Sequence, residues 1–444
     1  MLWLGKPAIY WWDEARLSLN ALEMMHPANP LIVTYKGQAD LWNTKPPLSI
    51  WLSALSMRLF GINELALRLP SALAAIGTTI AVFVFTKRVS NRRTAYLAAL
   101  ILLGTGGFDE VHVTRTADFD SLLVLFTTLT TFSLFFAFDS KKFYPSAAYF
   151  AGGLMTKGVA GLMMAPGYAL YAAIYRKDIR PTVLPGLAAV GVVLLFYFSR
   201  EIAEPGYLHA VWLQDVARFH QPADGHRGSA LYYLFRLFWP WQILFHLKWT
   251  EVPYLASAFP WSWIALLAML RPARPAIYLF CCLGAFLLAI SVAATHLAWY
   301  VAPAYPLIAV LTALGVDRTA EILGNRFVFP FFAAVGVACI CLNIWKTARE
   351  LETLTTSRAQ RQANQLRDLP RAATIALVPD LVWRAPAARA GRIVGTEPYF
   401  GPLEFYIRQR PRGAIALVCG AEGFRVDGGR AKPDSCDARG AVTK

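Results

Sequence analysis

The sequence predicts an all-α polytopic membrane protein. It reads as a helical bundle crossing the bilayer about ten or eleven times, with interfacial juxtamembrane helices and a small C-terminal α/β domain outside the membrane. Three observations carry this. Hydrophobic residues are 56% of the 444 and charged residues only 16%, against about 25% charged in soluble domains. The remaining charge gathers between apolar blocks of spanning length. The basic residues between those blocks fall on a single face.

The apolar blocks lie at roughly 64–86, 94–109, 121–138, 144–156, 158–175, 182–199, 252–270, 275–294, 298–316 and 327–345. The short blocks 144–156 and 158–175 read as a tight pair closing around Lys157. A further stretch, 231–247, carries Arg236, Trp239-Pro240-Trp241 and His246 and reads as an amphipathic helix lying on the membrane. With this arrangement Lys87, Arg88, Arg92, Arg93, Lys141, Lys142, Arg176, Lys177, Arg180, Arg271, Arg274, Arg318 and Arg326 share the cytoplasmic face. Making 231–247 a span would move Arg271 and Arg274 to the wrong side. Three divisions follow. Residues 1–63 form an extracytoplasmic loop with juxtamembrane helices, 64–345 the bundle with an extracytoplasmic loop at 200–251, and 346–444 a small C-terminal domain and tail. Within the last, 346–369 is polar and helix-prone, while 374–379 and 414–419 read as short buried strands.

The net charge of +15, from 43 basic and 28 acidic residues, lies largely in short loops, where it sets orientation, and in the tail. Nucleic-acid binding is not the reading. Cys281, Cys282, Cys339 and Cys341 sit in apolar runs as small hydrophobes. Cys419 and Cys436 lie in the polar tail and can pair if it is extracytoplasmic. Gly104-Thr105-Gly106-Gly107 is followed by acidic residues, not by the lysine of a nucleotide-phosphate loop. An activated substrate must then arrive by another route, and a carrier lipid diffusing in the bilayer suits a chain that is nearly all membrane.

All seven histidines fall on or beside the extracytoplasmic face, as do Asp13, Glu14, Asp40, Asp109, Glu110, Asp118 and Asp120. Titratable groups crowding one end of a bundle mark the place for chemistry. Asp13-Glu14-Ala15-Arg16 precedes Thr44-Lys45-Pro46-Pro47-Leu48 by about thirty residues at that boundary. There a carboxylate can take a proton from an acceptor hydroxyl, and a lysine can hold a departing phosphate.

These motifs continue with Arg68-Leu69-Pro70-Ser71-Ala72, Arg115-Thr116-Ala117-Asp118-Phe119-Asp120, Thr156-Lys157-Gly158, Gly225-His226-Arg227-Gly228 and Tyr300 to Pro306. In that order, over roughly residues 10–345, the chain resembles the aminoarabinose transferase and protein O-mannosyltransferase superfamily, the GT-C type of membrane glycosyltransferases. The resemblance implies a polyprenyl-phosphate-linked sugar donor and an active site on the periplasmic side of the inner membrane. The implied acceptor is a lipid A-like glycolipid or an envelope glycan, or a protein hydroxyl in other members. It also implies a span ahead of the acidic loop, so one is expected to precede the sequence given. Thr44 stands where bacterial relatives often carry Glu, and Thr295-His296 where they often carry Ser-Lys.

On this reading Asp13 is the general base of an inverting transfer; its plainer role is to N-cap a helix from Glu14 to Met25. Glu14, adjacent, points elsewhere and supports. Lys45 holds the donor phosphate, or else snorkels at the start of an interfacial helix set by Pro46-Pro47. Arg16, one turn from Asp13, positions it or contacts phosphate. Asp118 binds acceptor or orients Asp13, with an ion pair to Arg115 as the alternative. Asp120 supports the acceptor or caps the next span. Lys157 faces a cavity with a donor-phosphate role, His296 does the same when protonated, and Arg218 meets leaving-group charge or is a solvated loop residue. His226 and Arg227, between glycines, suggest a mobile substrate loop. No cofactor is required; a divalent metal on His220 or His226 with an acidic residue is the alternative to solvated histidines. The rival readings are a protein O-glycosyltransferase, or a lipid or glycan transporter or scaffold without chemistry. The lack of an internal repeat and the surface placement of the charges weigh against a transporter.

Overall fold

The computed structural model describes residues 3–10, 13–176, 180–220, 228–238, 258–270, 272–356, 374–375, 405–406, 424–427 and 430–433. Its N-terminal layer begins with α1 (Asp13–Glu23), whose first turn is acidic, the sign the positive end of a helix favours. A two-stranded hairpin follows, β1 (Thr34–Tyr35) and β2 (Gln38–Ala39). Pro46-Pro47 then set the start of α2 (Leu48–Phe60). At 13 residues this apolar helix is too short to cross a bilayer core of about 30 Å, and it packs on the start of the next helix. Ala15, Leu19, Ile50, Met57, Leu67 and Phe119 form the apolar centre of this layer, joined by Phe405 and Tyr406 from the C-terminal part.

The bundle consists of α3 (Glu64–Val89), α4 (Arg92–Gly104), α5 (Asp120–Ser140), α6 (Tyr144–Lys157), α7 (Ala165–Tyr171), α8 (Arg180–Ala203) and the helices Arg274–Val292, Ala304–Leu323 and Val328–Thr356. Asn63 and Asn91 cap α3 and α4, their side chains accepting from Ala66 N and Thr94 N, as N-cap asparagines do. Hydroxyls buried within the spans are satisfied inside their own helix: Thr78, Thr86, Thr127 and Thr131 each donate to the carbonyl four residues back. In lipid such internal satisfaction is what lets a polar side chain sit at depth.

Five helices are long and apolar enough to cross a membrane among the described residues: Glu64–Val89, Asp120–Ser140, Val183–Ala203, Arg274–Val292 and Val328–Leu351. A sixth is a broken span, Tyr144–Leu162 with Ala165–Tyr175, bent by 80°. The chain is an integral membrane protein, but apolar runs and spanning helices do not correspond one to one. Run 94–109 yields only the 13 residues of α4 before the chain turns at Thr105. Run 298–316 begins as a tight turn and becomes the helix Ala304–Leu323, which carries Asp317, Arg318 and Glu321. Within it Ala304 to Ala313 are all buried, at the middle of the main core. Of the expected interfacial helix at 231–247, α10 (Tyr232–Phe238) is described and the rest lies outside the described residues.

The expected pair around Lys157 is the broken span itself. Lys157 ends α6, and Gly158 follows with φ +53°, a conformation that favours glycine; a Cβ there would collide with the Tyr197 hydroxyl. Downstream, α7 lies against the helix Arg274–Val292 so closely that a Cβ at Gly167 would come within 2.5 Å of Cys282 Cα. At the opposite end from the N-terminal layer, Arg274 pairs with Asp139 at 2.9 Å and Ser90 Oγ donates to Asp317 at 2.8 Å.

The last long helix runs on to Thr356, so the first part of the polar 346–369 segment continues it. Beyond it Thr374–Ile375, Arg430–Pro433 and Phe424–Asp427 form a three-stranded sheet in that order. The strand expected at 374–379 is present at its start; that at 414–419, with Cys419 and Cys436, lies outside the described residues. Because Gly167 meets backbone, Gly167→Leu should force two spans apart and cost about 1–3 kcal/mol, read as a lowered Tm in detergent, while Gly284→Ala, with open space around it, should leave Tm unchanged.

Candidate active site

The site is built on one buried ion pair. Arg68, fully buried in the second turn of α3, donates from Nε and Nη2 to both carboxylate oxygens of Glu14, at 2.7 and 2.8 Å. Its other three N–H groups meet the carbonyls of Leu4, Pro7 and Ala8 at 2.7–3.0 Å. Glu14 in turn accepts from the backbone N–H of Tyr10 at 2.7 Å and of Ala117 at 3.0 Å. Glu14 thus points away from Asp13, into the buried pair with Arg68. Glu14 fixes α1 to Ala117, and the next residue on each side of that contact is an aspartate, Asp13 and Asp118.

Those two aspartates face each other across His112. Its Nδ1 lies 3.2 Å from Asp118 Oδ2 and 3.9 Å from Asp13 Oδ2. His112 holds a left-handed backbone, φ +69°, fixed by its N–H donating to Thr116 Oγ1 at 2.9 Å; Thr116 then donates to Asp118 at 2.5 Å. The imidazole stacks on Trp299 at 4.0 Å between ring centres. Burial works against its charged form, but Asp118 and then Asp13 overcome it and carry the His112 pKa up to about 9. Burial, then the neighbouring Asp118, raises the pKa of Asp13, with His112 and Lys45 opposing. Asp13 caps no α1 N–H; it opens the helix and presents its carboxylate to this cluster.

Next to it lies a cavity of about 120 Å³ lined by Lys45, Asp120, Lys157, Gln214, Asp215, Thr295 and Tyr300, with Leu123, Phe286 and Ile290 as its apolar wall. Lys157 and Asp120 form an ion pair at 2.6 Å, which lowers the cost of placing either charge at a membrane-facing depth. Lys45 has no ion-pair partner among the described residues. Its Nζ sits 5.5 Å from the ring centre of Phe119, the residue after Asp118, so the free cation and the carboxylates share one wall.

Several expected residues are placed differently. Arg16 neither positions Asp13 nor is free for phosphate: it makes a two-pronged pair with Asp40 at 2.7 and 3.0 Å and stacks between Tyr35 and Trp42. Burial pushes Asp40 upward, yet Arg16 holds it below the ordinary carboxylate range. The Arg115–Asp118 pair does not form, because Arg115 turns to Asp109 at 3.7 Å and Thr347 at 3.2 Å. Asp120 opens α5 and is taken by Lys157. His296 is enclosed by Tyr232 and Tyr233 and by Gly228, where a Cβ would approach its ring to 2.8 Å; its neighbour Thr295 lines the cavity instead. Arg218 lies on a short turn, Ala217–Phe219. His226 and Arg227 lie outside the described residues. The alternative reading put a metal on His220 or His226 with an acidic residue; the described groups that bring ligand atoms within 4.8 Å of one another are instead Asp13, His112 and Asp118. As they stand these three balance as a cation between two carboxylates.

Residues 44–200 match the family described as dolichyl-phosphate-mannose-protein mannosyltransferase. An undecaprenyl phosphate-alpha-4-amino-4-deoxy-L-arabinose arabinosyl transferase of Shewanella sediminis is 27% identical over 370 residues, covering 77% of this chain and 63% of that protein. A second such transferase, from Pseudomonas fluorescens, is 26% identical over 56% of this chain and 42% of its own. The crystal structure of ArnT from Cupriavidus metallidurans bound to undecaprenyl phosphate superposes with TM-score 0.68 at 16% identity, over 94% of this chain and 83% of that one. The chain is thus similar over residues 44–200 to that mannosyltransferase family, and its fold is that of the aminoarabinose transferase structure. It spans less than two thirds of the length of the curated relatives named here.

Within this fold, sequence reasoning missed four residues at the site: Arg68, His112, Asp215 and Trp299. Arg68 was visible only as part of a motif, and His112 only as one of seven histidines. Removing one partner of the buried pair should cost about 3–5 kcal/mol. Glu14→Gln and Arg68→Met should each lose most folded protein or lower Tm sharply, and the double variant should be less damaged than the sum, as a double-mutant cycle in Tm would report.

Proposed function

We propose that this protein is an inverting glycosyltransferase that moves a sugar from a polyprenyl-phosphate donor to a lipid A-like or envelope-glycan acceptor on the periplasmic side of the inner membrane. The observation that carries the reading is the unpaired Lys45 lying across Phe119 from the Asp13–Asp118 cluster. A lone cation in a half-apolar cavity suits a lipid phosphate, and a carboxylate pair beside it suits activation of a hydroxyl.

The transfer runs as one displacement. Asp13 takes the proton of the acceptor hydroxyl as its oxygen attacks the anomeric carbon. The bond from that carbon to the phosphate oxygen breaks, and the polyprenyl phosphate leaves with the electron pair. Lys45 meets the charge that grows on it, where a fixed cation is worth most; Lys157, held by Asp120, adds to the local field. Asp118, tethered by Thr116 and His112, orients the acceptor beside Asp13. Leu123, Phe286 and Ile290 take the first isoprene units. A raised pKa makes Asp13 a stronger base than an exposed aspartate once it is ionised.

Transfer from a polyprenyl-phosphate sugar to an envelope-lipid extract by purified protein tests this, with the acceptor named by mass spectrometry. Asp13→Asn should lower kcat about 10²–10⁴-fold, and Lys45→Ala should lower kcat/KM at least tenfold. Full activity in both would sink the proposal. Product on protein hydroxyls would favour the protein O-glycosyltransferase instead, the reading in keeping with the family description matched at 44–200.

The pH profile gives an independent check. The base works ionised, so the rate climbs as pH rises through the Asp13 pKa. The His112 cation opposes the raising of that pKa. His112→Gln should therefore move the acid limb of kcat/KM to higher pH; an unmoved limb would remove His112 from the account.

A further inference from the structure

At the other end of the bundle from Asp13 and Lys45, α5, α6, α7 and α8 enclose a second cavity, of about 220 Å³. Helix α5 separates the two spaces. Asp120 in its first turn lines the cavity beside Lys45 and Phe138 in its last turn lines this one, about 27 Å further along the axis. The gap arises on α8, whose contribution is Val183, Pro185 and Gly186. Gly186 offers no side chain to fill it, and a Cβ there would meet nothing within 4 Å. Val183 is 44% exposed, so the cavity reaches the outer surface of the bundle, where lipid lies.

The wall carries no charged residue, and each of its hydroxyls already holds a hydrogen bond. Thr130 donates to the Phe126 carbonyl at 2.7 Å, Ser146 Oγ accepts from Ser133 at 2.9 Å, and Tyr168 bonds Thr131 at 2.8 Å. Leu134, Phe138, Phe143 and Phe150 supply the rest. Such a space suits hydrocarbon: an apolar cavity of about 150 Å³ stays dry and takes a benzene-sized guest. Its mouth is basic. Lys141 and Lys142 are exposed in the turn between the wall residues Phe138 and Phe143, and Lys142 is one peptide bond, about 3.8 Å between Cα atoms, from Phe143. The acid of that turn, Asp139, is taken by Arg274 at 2.9 Å, and neither lysine has an ion-pair partner among the described residues. Arg180 opens α8 one turn before Val183 and adds a third positive charge at this end.

We infer that this cavity is a binding site for an anionic phospholipid, with one acyl chain between α5–α6 and α8 and the phosphate group met by Lys141 and Lys142. Basic residues around a pocket between membrane helices are a recurrent means of holding an anionic lipid headgroup. The lipid has a structural task to perform: only 22% of the apolar window of α8 is buried, and a chain lodged beside Gly186 adds the packing that this helix lacks. The site is independent of the transfer reaction and stands whether or not that reading does.

The test titrates delipidated full-length protein in detergent with phosphatidylglycerol or with phosphatidylcholine of the same acyl chains, read by native mass spectrometry and by Tm. Wild type should bind phosphatidylglycerol at least tenfold more tightly, with a preference that shrinks as salt is raised, about as screening of exposed charges requires. Gly186→Phe, which places a ring in the open space, should weaken phosphatidylglycerol at least tenfold. The double variant Lys141→Gln/Lys142→Gln changes only exposed side chains and should bring phosphatidylglycerol down to the level of phosphatidylcholine. Without lipid both variants should keep the wild-type Tm. Phosphatidylglycerol should raise the Tm of wild type, as a ligand of the folded state does, and leave that of Gly186→Phe unmoved. Equal binding of the two lipids by wild type, or binding that neither variant weakens, overturns the inference. Displacement of phosphatidylglycerol by an uncharged polyprenol, with the lysine variant binding as wild type does, also overturns it and gives the cavity to an isoprenoid chain instead.

Discussion

The site depends on the Arg68–Glu14 ion pair. Two charges taken from water into a fully buried position carry a desolvation cost of several kcal/mol each even after relaxation. Here that cost is offset because nothing is left over. The guanidinium has five N–H groups and all five are matched; each carboxylate oxygen of Glu14 accepts twice. The pair joins four parts of the chain: the 4–8 turn, α1, the loop before α5, and the second turn of a membrane span. Asp13 and Asp118 are each one residue from one of its contacts. A shift of that pair would move both aspartates together, so the apposition of the two carboxylates is a property of a rigid buried knot and not of two surface loops.

Two carboxylates held this close would resist ionising together. His112 resolves this. Its left-handed backbone, the stack on Trp299 and the chain through Thr116 to Asp118 place a cation between them. The result is one carboxylate, Asp118, held against the His112 ring and Thr116, and one, Asp13, whose proton affinity is raised by burial and by its neighbour. Separation of two acidic roles by environment is a common way to run proton chemistry near neutral pH.

How much of this was legible in the sequence follows from the range over which each signal acts. Lys45 after Asp13 at a membrane boundary, the helix opened by Asp13, the start of α2 at Pro46-Pro47 and the break at Lys157-Gly158 are local, and the residues announce them. The number of spanning helices was not legible from apolar runs, because a run records composition and not where the backbone turns; Thr105 and the charged second half of Ala304–Leu323 decide that. Partners were the least legible. Glu14 and Arg68 are 54 residues apart, Glu14 and Ala117 are 103, Thr44 and Asp215 are 171. No periodicity reaches so far, so the one-turn spacing places Arg16 beside Asp13 when Asp40 holds it, and the alternative partner read for Asp118, Arg115, goes to Asp109.

The departure at Thr44 shows the same logic from the other side. A carboxylate in that position would sit beside Lys45 on the chain and compete with any phosphate for it. A threonine cannot, but its hydroxyl can hold a carboxylate brought from elsewhere in the fold, and Asp215 is the one it holds. The negative charge is thus kept in the cavity while the lysine stays unpaired. In a membrane, where each uncompensated charge is costly, a lysine with no ion-pair partner among the described residues calls for an anionic ligand. The ion pair between Lys157 and Asp120 is the control within the same cavity: there the two charges meet, satisfy each other, and leave no demand on a substrate.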